Sequence, residues 1–288
     1  MFARALPVAA TLCAACSAPI GDPVAPRPDR EEGRYGLLLM THDEGEPGVS
    51  VSGQFAAWEG SERALVLHAL ALPEMAWLVA GAPRPGECRP VHAPRTPWSD
   101  AGLAHVELMS AGELSVLPPE PMDAEALRLQ PREFPRVFFS LGGVVYDADA
   151  PEDLPFVAEG TYRVRAPGDE LGAFDAAIRA PGPVELWGSE PGAAGLTVHW
   201  AGDGPAVLTL SREAAGETVG LQCAASTSAA GGAFTFPSAL LAELGPGEAQ
   251  LTVSAIRRQP ATAPGLDGLD LFFVTRDSAL VRVPADPE

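Results

Sequence analysis

Acidic side chains between residues 147 and 153 have the types and spacing of a cation site. Calcium takes about six to eight oxygen ligands, and a D-x-D loop supplies two or three of them. The four carboxylates are Asp147, Asp149, Glu152 and Asp153. The EF-hand pattern fails, because Pro151 and Glu152 stand where an oxygen ligand and a glycine belong. An acidic linker between domains explains the run equally well. We therefore expect no cofactor, with calcium at these four residues as the alternative.

A second group of candidate ligands surrounds His42. Three carboxylates follow it closely, Asp43, Glu44 and Glu46. A solvated turn is the simpler interpretation, since a metal site needs ligands that converge in space, which spacing alone does not show.

The familiar catalytic motifs are missing from the sequence. It has no G-x-S-x-G, H-E-x-x-H or S-x-x-K motif and no lysine, which excludes Schiff-base and P-loop lysine chemistry. We expect a protein without catalytic activity. The alternative is an envelope glycan or peptide hydrolase with paired acidic residues, which would be recognised by their separation in space.

Four tryptophans are candidates for stacking on sugar rings: Trp58, Trp77, Trp98 and Trp187. A tryptophan in a strand more often lies in the core.

The charge of the chain excludes nucleic acid as a partner. The formal net charge is −19, from 19 basic and 38 acidic residues. Nucleic-acid binding depends on cations that neutralise phosphates, so an acidic surface would repel the backbone.

The N-terminus has the layout of a bacterial lipoprotein signal. Arg4 precedes a short, uncharged, mostly apolar run over residues 5–15, as in a secretory signal. The run ends in a segment that resembles the lipobox, in which the final cysteine, here Cys16, is diacylated. Cys13 stands where that motif usually has leucine. We expect residues 1–15 to be removed and Cys16 to anchor the chain in the membrane, with the outer membrane favoured by Ser17. The alternative is an ordinary signal peptide.

Residues 16–33 are expected to form a disordered tether. They hold four prolines among charged and small residues, a composition that does not bury a core.

Two further cysteines, Cys88 and Cys223, would enter an oxidising compartment after export. A disulfide between them is one interpretation. A free buried Cys223 with Cys88 in a loop is the other, because geometry decides the pairing.

The remaining sequence alternates apolar and polar residues in many short runs separated by glycine and proline. This pattern predicts an all-β fold of sandwich or barrel type. Residues 106–116 read as a hairpin that turns at residues 110–112. The segment 237–245, with a polar start and a glycine end, predicts one short helix. Length and loop composition predict two β-sandwich-like domains, an N-terminal one over residues 34–157 and a C-terminal one over residues 158–288.

The C-terminal half also contains an ordered series of short motifs. They are Gly172, Ala173 and Phe174; residues 196–200, LTVHW; Gln222 and Cys223; residues 232–237, GAFTFP; Leu240, Leu241 and Leu244; and Gly268, Leu269 and Asp270. The series resembles the C-terminal β-sandwich module of uncharacterised secreted proteins and lipoproteins of myxobacteria and acidobacteria. The resemblance implies an immunoglobulin-like strand count and an exported protein, and it implies no activity.

Together these features predict a lipid-anchored protein of the bacterial outer membrane that binds a glycan or protein ligand, or acts in adhesion. The alternatives are the hydrolase above and a structural or assembly component of the outer membrane.

Overall fold

The computed structural model of the protein describes residues 32–60, 66, 83–93, 105–121, 125–138, 141–148, 154–214, 217–226 and 231–284. Residues 1–31, which include Cys16 and nearly all of the expected tether, lie outside this part of the chain.

The regular structure of the described residues is predominantly β-strand, which confirms the predicted all-β fold. The strands, in chain order, are β1 (Glu32–Asp43), β2 (Ser50–Glu59), β3 (Cys88–Ala93), β4 (His105–Leu108), β5 (Leu114–Leu117), β6 (Leu127–Leu129), β7 (Arg132–Phe138), β8 (Leu141–Ala148), β9 (Thr161–Ala166), β10 (Phe174–Arg179), β11 (Glu185–Gly192), β12 (Gly195–Ala201), β13 (Ala206–Ala214), β14 (Glu217–Ala225), β15 (Gly232–Pro237), β16 (Gly247–Ala261) and β17 (Gly268–Val283). The helix predicted after β15 is present as α1 (Ser238–Leu244).

The strands form one large sheet and two small ones. The large sheet has ten strands in the order β3-β14-β13-β16-β17-β1-β2-β4-β8-β7. A four-stranded sheet has the order β10-β9-β5-β6, and a three-stranded sheet has the order β11-β12-β15. Most neighbours are antiparallel, but β1 runs parallel to β17 and β4 runs parallel to β8.

Two hydrophobic cores lie side by side on one face of the large sheet. The first joins the large sheet to the four-stranded sheet and includes Phe55, Tyr162 and Phe273. The second joins it to the three-stranded sheet and α1, and includes Trp200 and Leu251. The molecule therefore contains two β-sandwiches that share one sheet.

Strand β17 is long enough to serve both cores. Leu271 and Phe273, near its start, belong to the first core, whereas Val281 and Val283, near its end, belong to the second. All four residues have odd numbers, so the period of two in a strand places them on one face. One continuous strand thus connects the two sandwiches.

The boundary expected between residues 157 and 158 does not divide the structure into two sheets. In the four-stranded sheet, β5 comes before this point and its partner β9 comes after it. In the large sheet, β1 pairs with β17. Strand pairing therefore joins segments from the two sides of the expected boundary, although they are far apart in sequence.

The hairpin expected over residues 106–116 is also absent from the structure. Strand β4 pairs with β2 and β8 in the large sheet, whereas β5 pairs with β6 and β9 in the four-stranded sheet. Residues 109–112 cross from the large sheet to the four-stranded sheet. There the side chain of Tyr146, and not a partner strand, supplies hydrogen bonds to the backbone. Its hydroxyl accepts from Ala111 N at 2.8 Å and donates to Gly112 O at 2.9 Å. The crossing is stable because buried backbone groups keep partners.

Candidate functional site

The outer face of the four-stranded sheet carries an unusual share of the chain's arginines. Strand β9 alternates exposed and buried residues, and so does β10. Their buried residues fill the first core. The exposed ones include Arg163, Arg165 and Arg179, and β6 adds the exposed Arg128. In an acidic protein, this face is locally rich in positive charge.

Strand register places four polar side chains in one row across this face. Asp175 on β10 is paired with Arg165 on β9, and Arg165 is paired with Ser115 on β5. Ser115 is paired in turn with Arg128 on β6. Directly opposed residues in antiparallel strands hold their Cβ atoms about 5 Å apart. Ser115 therefore lies between Arg165 and Arg128 in the row.

Carboxylates on the same face engage these arginines. Asp175 Oδ2 accepts from Arg165 Nε at 3.0 Å and from Arg163 Nη2 at 3.0 Å. Glu113 accepts from Arg128 Nη1 at 3.1 Å. Three arginines thus share two carboxylates, which leaves one excess positive charge around the row.

A groove with a volume of about 610 Å³ opens beside this row. Its polar lining comes from Glu113, Ser115, Arg165 and Asp175, and its apolar lining from Ala166, Pro167, Ala173 and Phe174. Apolar walls with a few convergent polar groups are typical of small-molecule sites, and the volume lies within their usual range of about 300 to 1,000 Å³. The groove is the best candidate functional site in the described part of the chain.

The acidic run proposed as a calcium site is only partly described. Asp147 pairs with Arg132, with Nη1 and Oδ2 3.1 Å apart. Asp149, Glu152 and Asp153 lie outside the described residues. The described residues contain no group of three or more histidine, cysteine, aspartate or glutamate side chains that could hold a metal ion.

His42 does not lie in a solvated turn. It is buried in β1, stacks on Phe156 with ring centroids 4.0 Å apart, and its Nδ1 lies 3.0 Å from Gly48 O. The neighbouring Asp43 pairs with Arg276 on β17. His42 is therefore part of the packing, and the expectation of a turn was wrong because β1 continues to Asp43.

A buried polar cluster joins β1, β16 and β17. Asp270 is 3% exposed and accepts from the Tyr35 hydroxyl and from Arg258, whose Nε and Nη2 lie 2.9 and 2.6 Å from its two carboxylate oxygens. The hydrogen bond to Asp270 raises the pKa of Arg258. These bonds compensate the buried charge, so the cluster has a structural explanation.

Two of the four candidate tryptophans lie in the described residues, one buried and one exposed. Trp58 lies in a small core on the other face of the large sheet. Trp187 is 63% exposed at a bulge in the edge strand β11. Trp77 and Trp98 lie outside the described residues. Single exposed apolar side chains are common on protein surfaces and do not define a site.

A disulfide joins Cys88 to Cys223 in the structure. The two residues are directly opposed in the pairing of β3 with β14, and Cys223 is fully buried in the second core. The bond therefore attaches the outermost strand of the large sheet to its neighbour.

The row of arginines on the four-stranded sheet was not predicted from the sequence. A local signal was present, since TYRVRA alternates apolar residues with Arg163 and Arg165. The sequence did not predict which residues of β5 and β6 lie beside these arginines, because the pairing of β5 with β9 is a long-range contact.

Within the described residues, no helix has the length and apolarity needed to cross a membrane. A comparison with known protein families found no match for the chain. A comparison with curated proteins found none either.

Proposed function

We propose that the protein is a lipid-anchored component of the bacterial cell envelope that binds a ligand without catalysis, in the groove beside the four-stranded sheet. The observation that carries this proposal is the groove itself, in which a row of polar side chains borders an apolar wall. Such a surface suits binding, because the polar groups orient a ligand and the apolar wall supplies contact area.

The pairing of the groove's two carboxylates with arginines favours a binding function over hydrolysis. Glu113 and Asp175 both line the groove, and both are held by arginines. Glycoside hydrolysis needs two carboxyl groups that both reach the glycosidic bond. Here each carboxylate is instead hydrogen-bonded to arginine on the surface of the sheet.

The anchor and the location belong to the same proposal. The lipobox-like segment ending at Cys16 supports lipidation, and Ser17 supports the outer membrane. The resemblance of the C-terminal half to secreted myxobacterial and acidobacterial lipoproteins supports the same location. The proline-rich residues 16–33 would hold the β-sandwiches away from the membrane.

Lipidation is tested by palmitate labelling of the full chain in a bacterial host. Cys16→Ala should abolish labelling and release the protein from membranes. The matched control Cys13→Ala should still be labelled and should stay attached to membranes. Unchanged labelling of Cys16→Ala would contradict the anchor.

Ligand binding in the groove is tested with an array of neutral and acidic envelope glycans, probed with the full chain. Ala173 is exposed and lines the groove, so Ala173→Trp should fill it and abolish binding to every glycan recognised by the natural chain. Ala177 is exposed on the same sheet but does not line the groove. Ala177→Trp should therefore bind normally. Equal binding by all three proteins would contradict the proposed site.

A further inference from the structure

We infer that the ligand of the groove is an acidic saccharide, whose phosphate or carboxylate is held at the border of the groove. Arg165 and Ser115 line the groove there, and Arg128, opposite Ser115 on β6, lies beside it. This inference rests on the proposed function, because it names the chemical class of ligand for the same groove. The shared chemistry is an oxyanion on a sugar ring.

The row offers hydrogen-bond donors on both sides of one point. A guanidinium has five N–H donors. Among the described residues, Arg165 makes contacts through Nε alone and Arg128 through Nη1 alone. The Ser115 hydroxyl makes no hydrogen bond to the described residues, and it can donate as well as accept. Each arginine therefore keeps donors for a further acceptor.

The distances across the sheet suit one shared anion. Arg165 and Arg128 lie on strands separated by β5, so their backbones are about 10 Å apart, at about 4.8 Å per strand spacing. The two long side chains can close this gap from opposite sides onto one oxyanion above Ser115. Bonds between charged donors and an oxyanion are about twice as strong as neutral ones.

The arginines are accessible to a ligand. The side chains of Arg165 and Arg128 are 49% and 73% exposed. Their carboxylate partners, Asp175 and Glu113, draw each guanidinium to one side but do not neutralise the row, because Arg163 also contributes to Asp175.

The rest of the surface favours a saccharide over a membrane as the source of the anion. The chain has a net charge of −19, which repels an extended anionic surface. A single oxyanion would interact mainly with the row, around which three arginines share two carboxylates. The apolar wall formed by Ala166, Pro167 and Phe174 then lies where the ring of a small ligand would pack.

The test uses calorimetric titration of the full chain with saccharides that differ in charge. Glucuronate, glucose 6-phosphate and trigalacturonate are the acidic probes, and glucose and galactotriose are the neutral controls. We expect at least one acidic probe to bind at least about tenfold more tightly than its neutral control, with an affinity that falls as salt is added. Arg165→Ala and Arg128→Ala should each weaken acidic binding by about tenfold, the loss of one charged hydrogen bond.

Two further variants test charge and position. Arg179 lies on the same face but at the other end of β10, where it is opposite Thr161 and pairs with Glu159 at 2.7 Å, so Arg179→Ala should bind acidic probes normally. Asp175→Asn should raise the ratio of acidic to neutral binding, because a negative charge that competes for Arg165 is removed. Circular dichroism checks that each variant is folded.

The outcomes separate this inference from the proposed function. Equal binding of acidic and neutral saccharides that is lost in Ala173→Trp would overturn the acidic ligand and keep the groove. Equal weakening by Arg179→Ala and Arg165→Ala would also overturn it, since general electrostatic attraction would suffice. Binding to phosphatidylglycerol vesicles without binding to any saccharide, or no binding to any probe, would overturn both.

Discussion

At the scale of single residues, Tyr162 shows how a buried polar group organises the region that carries the groove. Its ring lies in the first core. Its hydroxyl donates to Pro155 O at 2.8 Å and accepts from Val157 N at 2.8 Å. The residue thus fastens the segment before β9 to the four-stranded sheet. Burial raises the pKa of Tyr162 to about 12, because the phenolate would lose its solvation there.

This shift predicts a loss of stability in alkali. The pKa of Tyr162 is higher in the folded state than the value of about 10 expected for an unfolded chain. Its contribution to stability is complete below about pH 10 and is lost as the pH rises toward about 12. Urea unfolding between about pH 8 and about pH 11, followed by tryptophan fluorescence, should show a decreasing free energy of unfolding.

Tyr162→Phe separates this residue from other alkaline effects. The variant should lose about 1 to 3 kcal/mol near neutral pH, since the amide of Val157 is left without its partner. Its free energy of unfolding should then fall less steeply with pH than that of the natural chain. Equal pH dependence in the two proteins would contradict the role given to Tyr162.

At the scale of elements, the alternation of apolar and polar residues predicted the strands but did not predict which strands pair. The alternation LTVHW placed Leu196, Val198 and Trp200 on one face, and these residues do lie in the second core. The alternation over residues 106–116 predicted a hairpin in which β4 pairs with β5, and this prediction is wrong. A period of two fixes which side of a strand is buried, but two short strands in sequence pair only if the turn between them permits it.

Gly143 shows which contact directs β4 to the large sheet. It lies in β8 opposite Leu108 of β4, with φ at +123°. A Cβ atom at this glycine would lie 1.9 Å from Leu108 O. The close approach of the two backbones therefore requires glycine at this position.

Gly143→Ala should destabilise the protein by at least about 3 kcal/mol, because both the backbone conformation and the contact with Leu108 resist a side chain. The matched control is Gly45→Ala. Gly45 also has a positive φ, +90°, but nothing lies within 4 Å of its added Cβ, so it should cost only about 1 to 2 kcal/mol. Urea midpoints measure both. Similar losses in the two variants would contradict the packing of β8 against β4.

At the scale of the whole molecule, the sequence predicted two β-sandwiches but not that they share a sheet. The prediction divided the chain by position, whereas β17 contributes Phe273 to one core and Val281 to the other. The groove could not be predicted either, because Ser115 and Arg165 become neighbours through the long-range pairing of β5 with β9. Local patterns determine burial, and long-range pairing determines which exposed residues become neighbours.

The disulfide constrains the chain at this scale, because its two cysteines are 135 residues apart in sequence. Replacing both, in Cys88→Ala/Cys223→Ala, should cost about 2 to 5 kcal/mol of stability. Urea unfolding of the two proteins without reductant measures the difference. Since the bond lies in the sandwich that does not carry the groove, glycan binding by the folded variant should be unchanged.

Mass spectrometry checks the bond directly. After thiol alkylation, the unfolded natural chain should gain mass at Cys88 and Cys223 only when a reductant is added first. Alkylation at both residues without reductant would contradict the pairing.

The central claim is that the groove beside the four-stranded sheet binds the ligand. The most direct measurement is a titration of the ¹⁵N-labelled full chain with trigalacturonate, followed by the chemical shifts of its backbone amides. The account predicts that the largest changes occur at Ser115, Arg165 and Ala166, which line the groove. Changes centred on Trp187 in the other sandwich, or no changes with any saccharide, would contradict it.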